Sequence, residues 1–411
     1  MQQRKKWLRA VSLVSLLALV GAACGGDDDE GGGTSPTGEA PVEKIDVTIY
    51  GQGAWTGPAN YLVVPSFQGA QMAFDELNAD PSYPATITFN QADTQGSPDN
   101  APPVVEEIVG DPNTVAVHGP GFSGESEASG DTFEEAGIPF VSASATNPGL
   151  SQKGWTFWYR GIANDIDQGD PAAQYLAQNL GASSVFVTHD KSTYGQGLAE
   201  VVNDVLETEG VEVVGFEGLE TGAEDFSALI SDIQAANPDA VFFGGYDFDF
   251  GKVVKQARDA GLDVPMMSGD GSVSSTLIDL AGSGLTNVFL TCPCNLTGDF
   301  VQQYNDKYGG KASSVPIYVA EGYDVANLLG EGIKQAIEGG AVGAVEIREG
   351  IKTYLDSVTT DSPYQGVAKS YAFDPSTHEL AATDRLELIY FYTADAGKIT
   401  LEGQAPEVLG G

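Results

Sequence analysis

Histidine and cysteine are scarce, with three of each in 411 residues. His118, His189 and His378 stand singly, and Cys292 and Cys294 have no further soft donor beside them, so the sequence offers no zinc ligand set. The same shortage, with no Gly-x-Ser-x-Gly elbow anywhere, counts against an exported hydrolase built on a catalytic triad. Positive charge is the third shortage: 19 Lys and Arg stand against 58 Asp and Glu, for a formal net charge of −39. A surface of that sign repels nucleic acid and anionic headgroups, and reads as a solvated face suited to salt. Long apolar runs are absent after the first residues, as are heptads and long repeats, which excludes a bundle of membrane spans and a coiled coil.

What the chain does have begins at its amino end. Arg4, Lys5, Lys6 and Arg9 form a basic region, residues 11–20 an apolar stretch too short to span a bilayer, and Gly21-Ala22-Ala23 a run of small residues before Cys24. The pattern resembles a bacterial lipoprotein signal, although Gly21 stands where that pattern prefers Leu. The resemblance implies a signal peptide at 1–23, cleavage before Cys24, lipidation of Cys24 and anchoring to the outside of a membrane. Losing those four basic residues would take the charge from −39 to −43. Residues 24–43 are rich in Gly, Asp, Ser, Thr and Pro and offer nothing to bury. They read as a disordered tether with a reach on the order of 25 Å.

The remaining chain, more than ~350 residues, exceeds what one core usually organises. From residue 45, β-branched runs alternate with amphipathic segments, the pattern of parallel sheets covered on both faces. Strands at 45–50, 86–90, 115–118 and 139–142 with helices at 66–78, 101–109 and 123–136 form one unit. After 155–160 a second begins: helices at 168–180, 197–209, 224–236, 250–260 and 273–280, with strands at 185–189, 212–217, 240–244, 264–268 and 287–291. Helices at 300–308, 319–338 and 345–355 and strands at 368–373 and 386–392 are too short for a third domain and are expected to complete the earlier sheets. The fold class is therefore α/β, with two doubly wound lobes: 44–164 plus 294–365, and 165–293 plus 366–405. Several crossings between lobes make a hinge, and a hinge beneath two lobes makes a cleft.

Gly119-Pro120-Gly121-Phe122-Ser123-Gly124 follows a strand, opens a helix and matches the spacing of a dinucleotide loop. The next strand, however, ends Val141-Ser142-Ala143-Ser144, without the acid that would hold a ribose, and no Lys-Ser/Thr follows for a triphosphate. No cofactor is expected. Glycines before a helix N-terminus still suit a small carboxylate. Residues 142–148 bring more hydroxyls to the same sheet edge, where ligands bind in open α/β sheets; simple capping accounts for them equally well. Cys292 and Cys294, separated only by Pro293, either pair as a local clip or stay reduced.

Thr188-His189-Asp190-Lys191-Ser192-Thr193-Tyr194-Gly195-Gln196-Gly197-Leu198, with residues 218–226, Phe242-Phe243-Gly244-Gly245-Tyr246 and residues 256–262, closely resembles the leucine/isoleucine/valine-binding proteins of bacterial ABC importers. The Thr56-Gly57-Pro58 turn with Tyr61 and the run Asp165-x-x-Gln168-Gly169 match as well. The resemblance implies the type I periplasmic binding protein fold, a monomer that closes two lobes around an amino acid, and an ABC permease of the branched-chain amino acid type as partner. By position, Ser123 and Thr146 would hold the ligand carboxylate, while Ser144, Thr146 and Asp270 would hold its ammonium. Tyr61, Tyr194 and Tyr246 would line the side-chain pocket. Trp55 and Phe122 differ from what leucine binders carry, and either shrink the pocket or offer a face to an aromatic ligand. Asp270 stands where relatives commonly place Glu, so either the ligand sits nearer the second lobe or a water intervenes. The expectation is an extracytoplasmic, lipid-anchored protein that captures a neutral, branched-chain amino acid and catalyses nothing. An amide or aromatic solute, or a sensor role, is the alternative within the same fold.

Overall fold

The computed structural model describes residues 44–309, 315–381 and 385–410. The expected signal peptide, Cys24 and the tether lie outside the described residues. Five parallel strands make the first sheet: β1 (Ile45–Gly53), β2 (Ala85–Asp93), β3 (Thr114–His118), β4 (Phe140–Ser142) and β5 (Trp158–Arg160), ordered β2-β1-β3-β4-β5. Between them run α1 (Asn60–Ala79), α2 (Ala101–Gly110) and α3 (Ser123–Ala136). The second unit contains β6 (Ser184–His189), β7 (Glu212–Gly218), β8 (Ala240–Gly244), β9 (Met266–Ser268) and β10 (Val288–Cys292), with α4 (Asp165–Gln174), α5 (Thr193–Thr208), α6 (Ser227–Ala236), α7 (Asp247–Asp259) and α8 (Ser275–Ala281). The chain continues through α9 (Asp299–Tyr308), α10 (Val319–Glu338), α11 (Ala344–Ser357), β11 (Tyr364–Gln365), β12 (Ser370–Tyr371), β13 (Tyr390–Asp395), β14 (Lys398–Gln404) and α12 (Ala405–Leu409).

Burial explains why these sequences become strands. The five residues Ala240-Val-Phe-Phe-Gly244 of β8 are all buried, as a central strand covered on both faces requires. One face of the first sheet packs Val47, Ile49 and Phe74 with Val325, Leu329 and Ile351 of the returning helices. The other packs Tyr50 and Val117 with Val105, Phe133, Trp155 and Trp158. Helices α1 and α10 cross unusually closely: a Cβ on Gly69 would lie 2.2 Å from the Val319 carbonyl oxygen, and one on Gly322 2.2 Å from that of Ser66. Only glycine admits that approach.

The late elements depart from expectation. Trp158–Arg160 joins the first sheet as its edge strand. β11 and β12 pair only with each other and enter neither large sheet. The strand expected at 386–392 starts with a tight turn at Leu386–Leu388 and becomes β13, which with β14 adds an antiparallel hairpin to the second sheet, ordered β14-β13-β10-β9-β8-β6-β7. Its turn, Ala396-Gly397 at φ 47° and 77°, has the geometry of a two-residue hairpin without the usual Asn-Gly signal. Residues 366–381, grouped with the second lobe from sequence, place Tyr371, Phe373 and Leu380 in the first lobe's core. Cys292 and Cys294 are bonded to each other and fully buried at the end of β10. Among the described residues no helix is long and apolar enough to cross a membrane.

Candidate functional site

Strand order sets the place. In the first sheet the winding reverses between β1 and β3, and in the second between β6 and β8; ligands of open α/β sheets bind off the carboxyl ends of the strands at such points. There the two lobes meet around a tight void of about 20 Å³ lined by Leu62, Val63, Phe122, Ser123, Ser144, Tyr194, Tyr246, Asp270, Tyr318 and two glycines. A larger, solvent-open groove of about 380 Å³, lined by Asn295, Glu321, Lys369 and Tyr390 among others, contains none of the expected site residues.

From the first lobe, β3 ends in Gly119, whose φ of 127° suits only glycine, and the chain turns into α3 with Phe122 just before the helix and Ser123 as its first residue. A Cβ on Gly121 would lie 2.9 Å from Val63 Cγ1, so glycine lets the loop close on α1. Ser123 is buried, and its Oγ accepts the Asn147 N–H at 3.2 Å. Ser144 Oγ donates to the Gly121 carbonyl at 2.8 Å, which ties the β4 loop to the β3 loop. The first N–H groups of α3 lack partners within the helix and carry its positive end, which suits an anion.

From the second lobe come Tyr194 in the first turn of α5, Tyr246 just before α7, and Asp270 in the turn after β9. Asp270 is 3% exposed and sits in a cage of donors. Tyr194 Oη and Gln168 Nε2 each donate to its Oδ1 at 2.8 Å, and Tyr318 Oη donates to Oδ2. Burial raises the Asp270 carboxyl above its ordinary value, against those hydrogen bonds. Phe122 and Tyr246 meet edge to face across the cleft with ring centres 5.6 Å apart. Asn147 Nδ2 donates to the Thr193 carbonyl at 2.6 Å, a second bridge between lobes.

Six expected residues, Ser123, Ser144, Phe122, Tyr194, Tyr246 and Asp270, thus line one void. Thr146 is fully buried behind it; its carbonyl accepts the Asp165 N–H at 2.9 Å, and its hydroxyl faces the Asp165 carboxylate. Trp55 is held elsewhere, stacked on Phe67 at 4.6 Å with Nε1 donating to the Gly51 carbonyl. Tyr61 packs against the interlobe core with its hydroxyl buried and unpartnered, and its neighbours Leu62 and Val63 line the void instead. Tyr318 escaped sequence reasoning: it precedes α10 in a left-handed conformation, φ 58°, and no local pattern announces it. His118 is structural, its Nε2 3.0 Å from the Gly322 carbonyl oxygen and its imidazole lowered by burial to about 4.

A donor-rich helix start opposite a caged carboxylate, separated by apolar walls, can hold a small molecule with an anionic and a cationic end. A family model described as periplasmic binding protein matches residues 53–398. The leucine-specific-binding protein of Salmonella typhimurium is 33% identical over 255 residues, 62% of this chain and 68% of that protein. The Leu/Ile/Val-binding protein of Escherichia coli K12 is 32% identical over 257 residues, 62% of this chain and 69% of its own length. Among solved structures, a branched-chain amino acid transporter substrate-binding protein from Streptococcus pneumoniae in complex with isoleucine superposes with a TM-score of 0.74 at 25% identity, covering 88% of this chain and all of that one. With two α/β lobes around one cleft and a family match across nearly all the described residues, the chain belongs to the periplasmic binding protein family, whose members bind solutes outside the cytoplasm.

Proposed function

We propose that this protein captures a neutral, branched-chain amino acid by closure of its lobes and delivers it to an ABC permease, working as a monomer anchored to the outer face of a membrane through lipidated Cys24. The observation that carries the reading is the convergence of Ser123, Ser144 and Asp270, from both lobes, on one void that the lobes must part to fill with a ligand. The ligand carboxylate lies at the start of α3 with Ser123, and Thr146, buried behind the void, reaches it only if the lobes part to admit the ligand. Its ammonium meets Asp270 and the Ser144 carbonyl, and its side chain packs on Leu62, Val63, Phe122 and Tyr246. The names of the similar proteins support the ligand class. Tyr194 and Gln168 hold Asp270 forward from the second lobe, consistent with a ligand placed nearer that lobe than a longer Glu would require.

Calorimetry against the twenty amino acids, with amides and aromatic acids alongside, tests the reading. Leucine, isoleucine or valine is expected to give saturable heat. Silence from all amino acids would refute it, and heat only from aromatic acids or amides would redirect it to a different solute.

A further inference from the structure

Asp165 is the first residue of α4, where the chain first enters the second lobe. It is fully buried, and only the Thr146 hydroxyl faces its carboxylate, without closing a well-aligned hydrogen bond. Its N–H donates to Thr146, and one turn on, Gln168 donates to Asp270 at 2.8 Å, so the start of α4 brings a second acid to the ammonium end of the site. The charges that act on Asp165 are Asp270 from the turn after β9, Arg160 from β5, and Glu379. The phenols of Tyr194 and Tyr318 donate to Asp270, and burial with the charges of both acids raises these two and Tyr246. Arg160 is already neutralised: Nε and Nη2 donate to Glu379 at 2.8 and 3.0 Å, and Nη2 also donates to the Asn147 carbonyl at 2.8 Å. Among the described residues neither Asp165 nor Asp270 forms an ion pair, and the one cation that acts on Asp165, Arg160, is bonded to Glu379. On the amino-acid reading of the site, the ligand brings one ammonium, and its own carboxylate is held at the other end. One cation between two buried carboxylates leaves one negative charge uncompensated, which a water-poor slot strongly disfavours.

We propose that Asp165 and Asp270 share one proton when the lobes close on the ligand, so that capture takes up a proton from solution. The proton comes from the buffer and ends on a carboxylate oxygen; no other bond changes. Burial raises both carboxyls, and the charge of Asp270 raises Asp165 further, in accord with a pair that titrates as a unit. Proton uptake requires both acids to be ionised at neutral pH before closure, as carboxyls in contact with water would be. Affinity is therefore highest in acid and falls as pH rises above the ordinary aspartate value of 3.8, by up to about tenfold per pH unit where uptake is complete.

The test is calorimetry of the full chain with L-leucine at about pH 7 in phosphate and in Tris, which differ in heat of ionisation. The expected result is a buffer-dependent heat equivalent to uptake of nearly one proton. Asp165→Asn, which mimics the protonated acid, should remove that dependence and bind leucine more tightly than the wild type at about pH 8. Leucine binding without buffer dependence in the wild type overturns the shared proton, as does an Asp165→Asn variant that loses affinity but keeps the uptake. Absence of leucine heat in both buffers is a distinct result: it removes the amino-acid reading and this inference with it.

Discussion

Asp270 and Tyr318 carry the chemistry of the site at the scale of single residues. Replacing Asp270 by Ala leaves a ligand ammonium buried without its partner and should weaken amino-acid binding by about 2–5 kcal/mol in calorimetry, while an uncharged solute would lose far less. Tyr318→Phe removes one hydrogen bond to that carboxylate, and the expected loss is about 1.5–3 kcal/mol. Asp270, Tyr194 and Tyr246 were legible because they sit in or beside runs that resemble a known family. Tyr318 was not, since its role depends on a contact made 48 positions away in sequence and on a backbone conformation that no neighbouring residue signals. Trp55 shows the reverse limit. Bulk near the site suggested a pocket wall, but Phe67 and Phe89 form an aromatic cluster that holds the indole.

At the scale of elements, the alternation of strand and helix was readable because buried parallel strands are continuous apolar runs and their helices are amphipathic. The two-residue strands β11 and β12 carry no such pattern, and the β13–β14 hairpin lacks a strong turn signal, so the end of the chain was misplaced. The close crossing of α1 and α10 gives a sharper test. Gly69→Ala or Gly322→Ala forces the helices apart, and the expected cost is about 1–3 kcal/mol in urea denaturation. The starts of α3 and α5 face each other through Asn147 and Thr193. If that bond forms on closure, Asn147→Ala should raise the ligand dissociation rate in stopped-flow fluorescence with little change in association.

Over the whole molecule, acid excess and buried acids set the response to pH. Burial pushes Glu125 and Asp247 up to about 8, so the folded state keeps protons that the unfolded chain has released. Their contribution to stability is present below the ordinary carboxylate range and is lost as pH rises toward about 8. The urea midpoint should therefore be higher at about pH 5 than at about pH 8, and Glu125→Gln should flatten that slope; added salt should raise the midpoint at the higher pH by screening the net charge of −39. The central claim is that a zwitterion bridges the lobes with its ammonium on Asp270. The most direct measurement compares binding of L-leucine with 4-methylpentanoate, the same molecule without its amino group, in one calorimetric series. Loss of the ammonium is predicted to weaken binding by at least about a hundredfold. Equal affinity for the two would show that Asp270 holds no ligand cation and contradict the account.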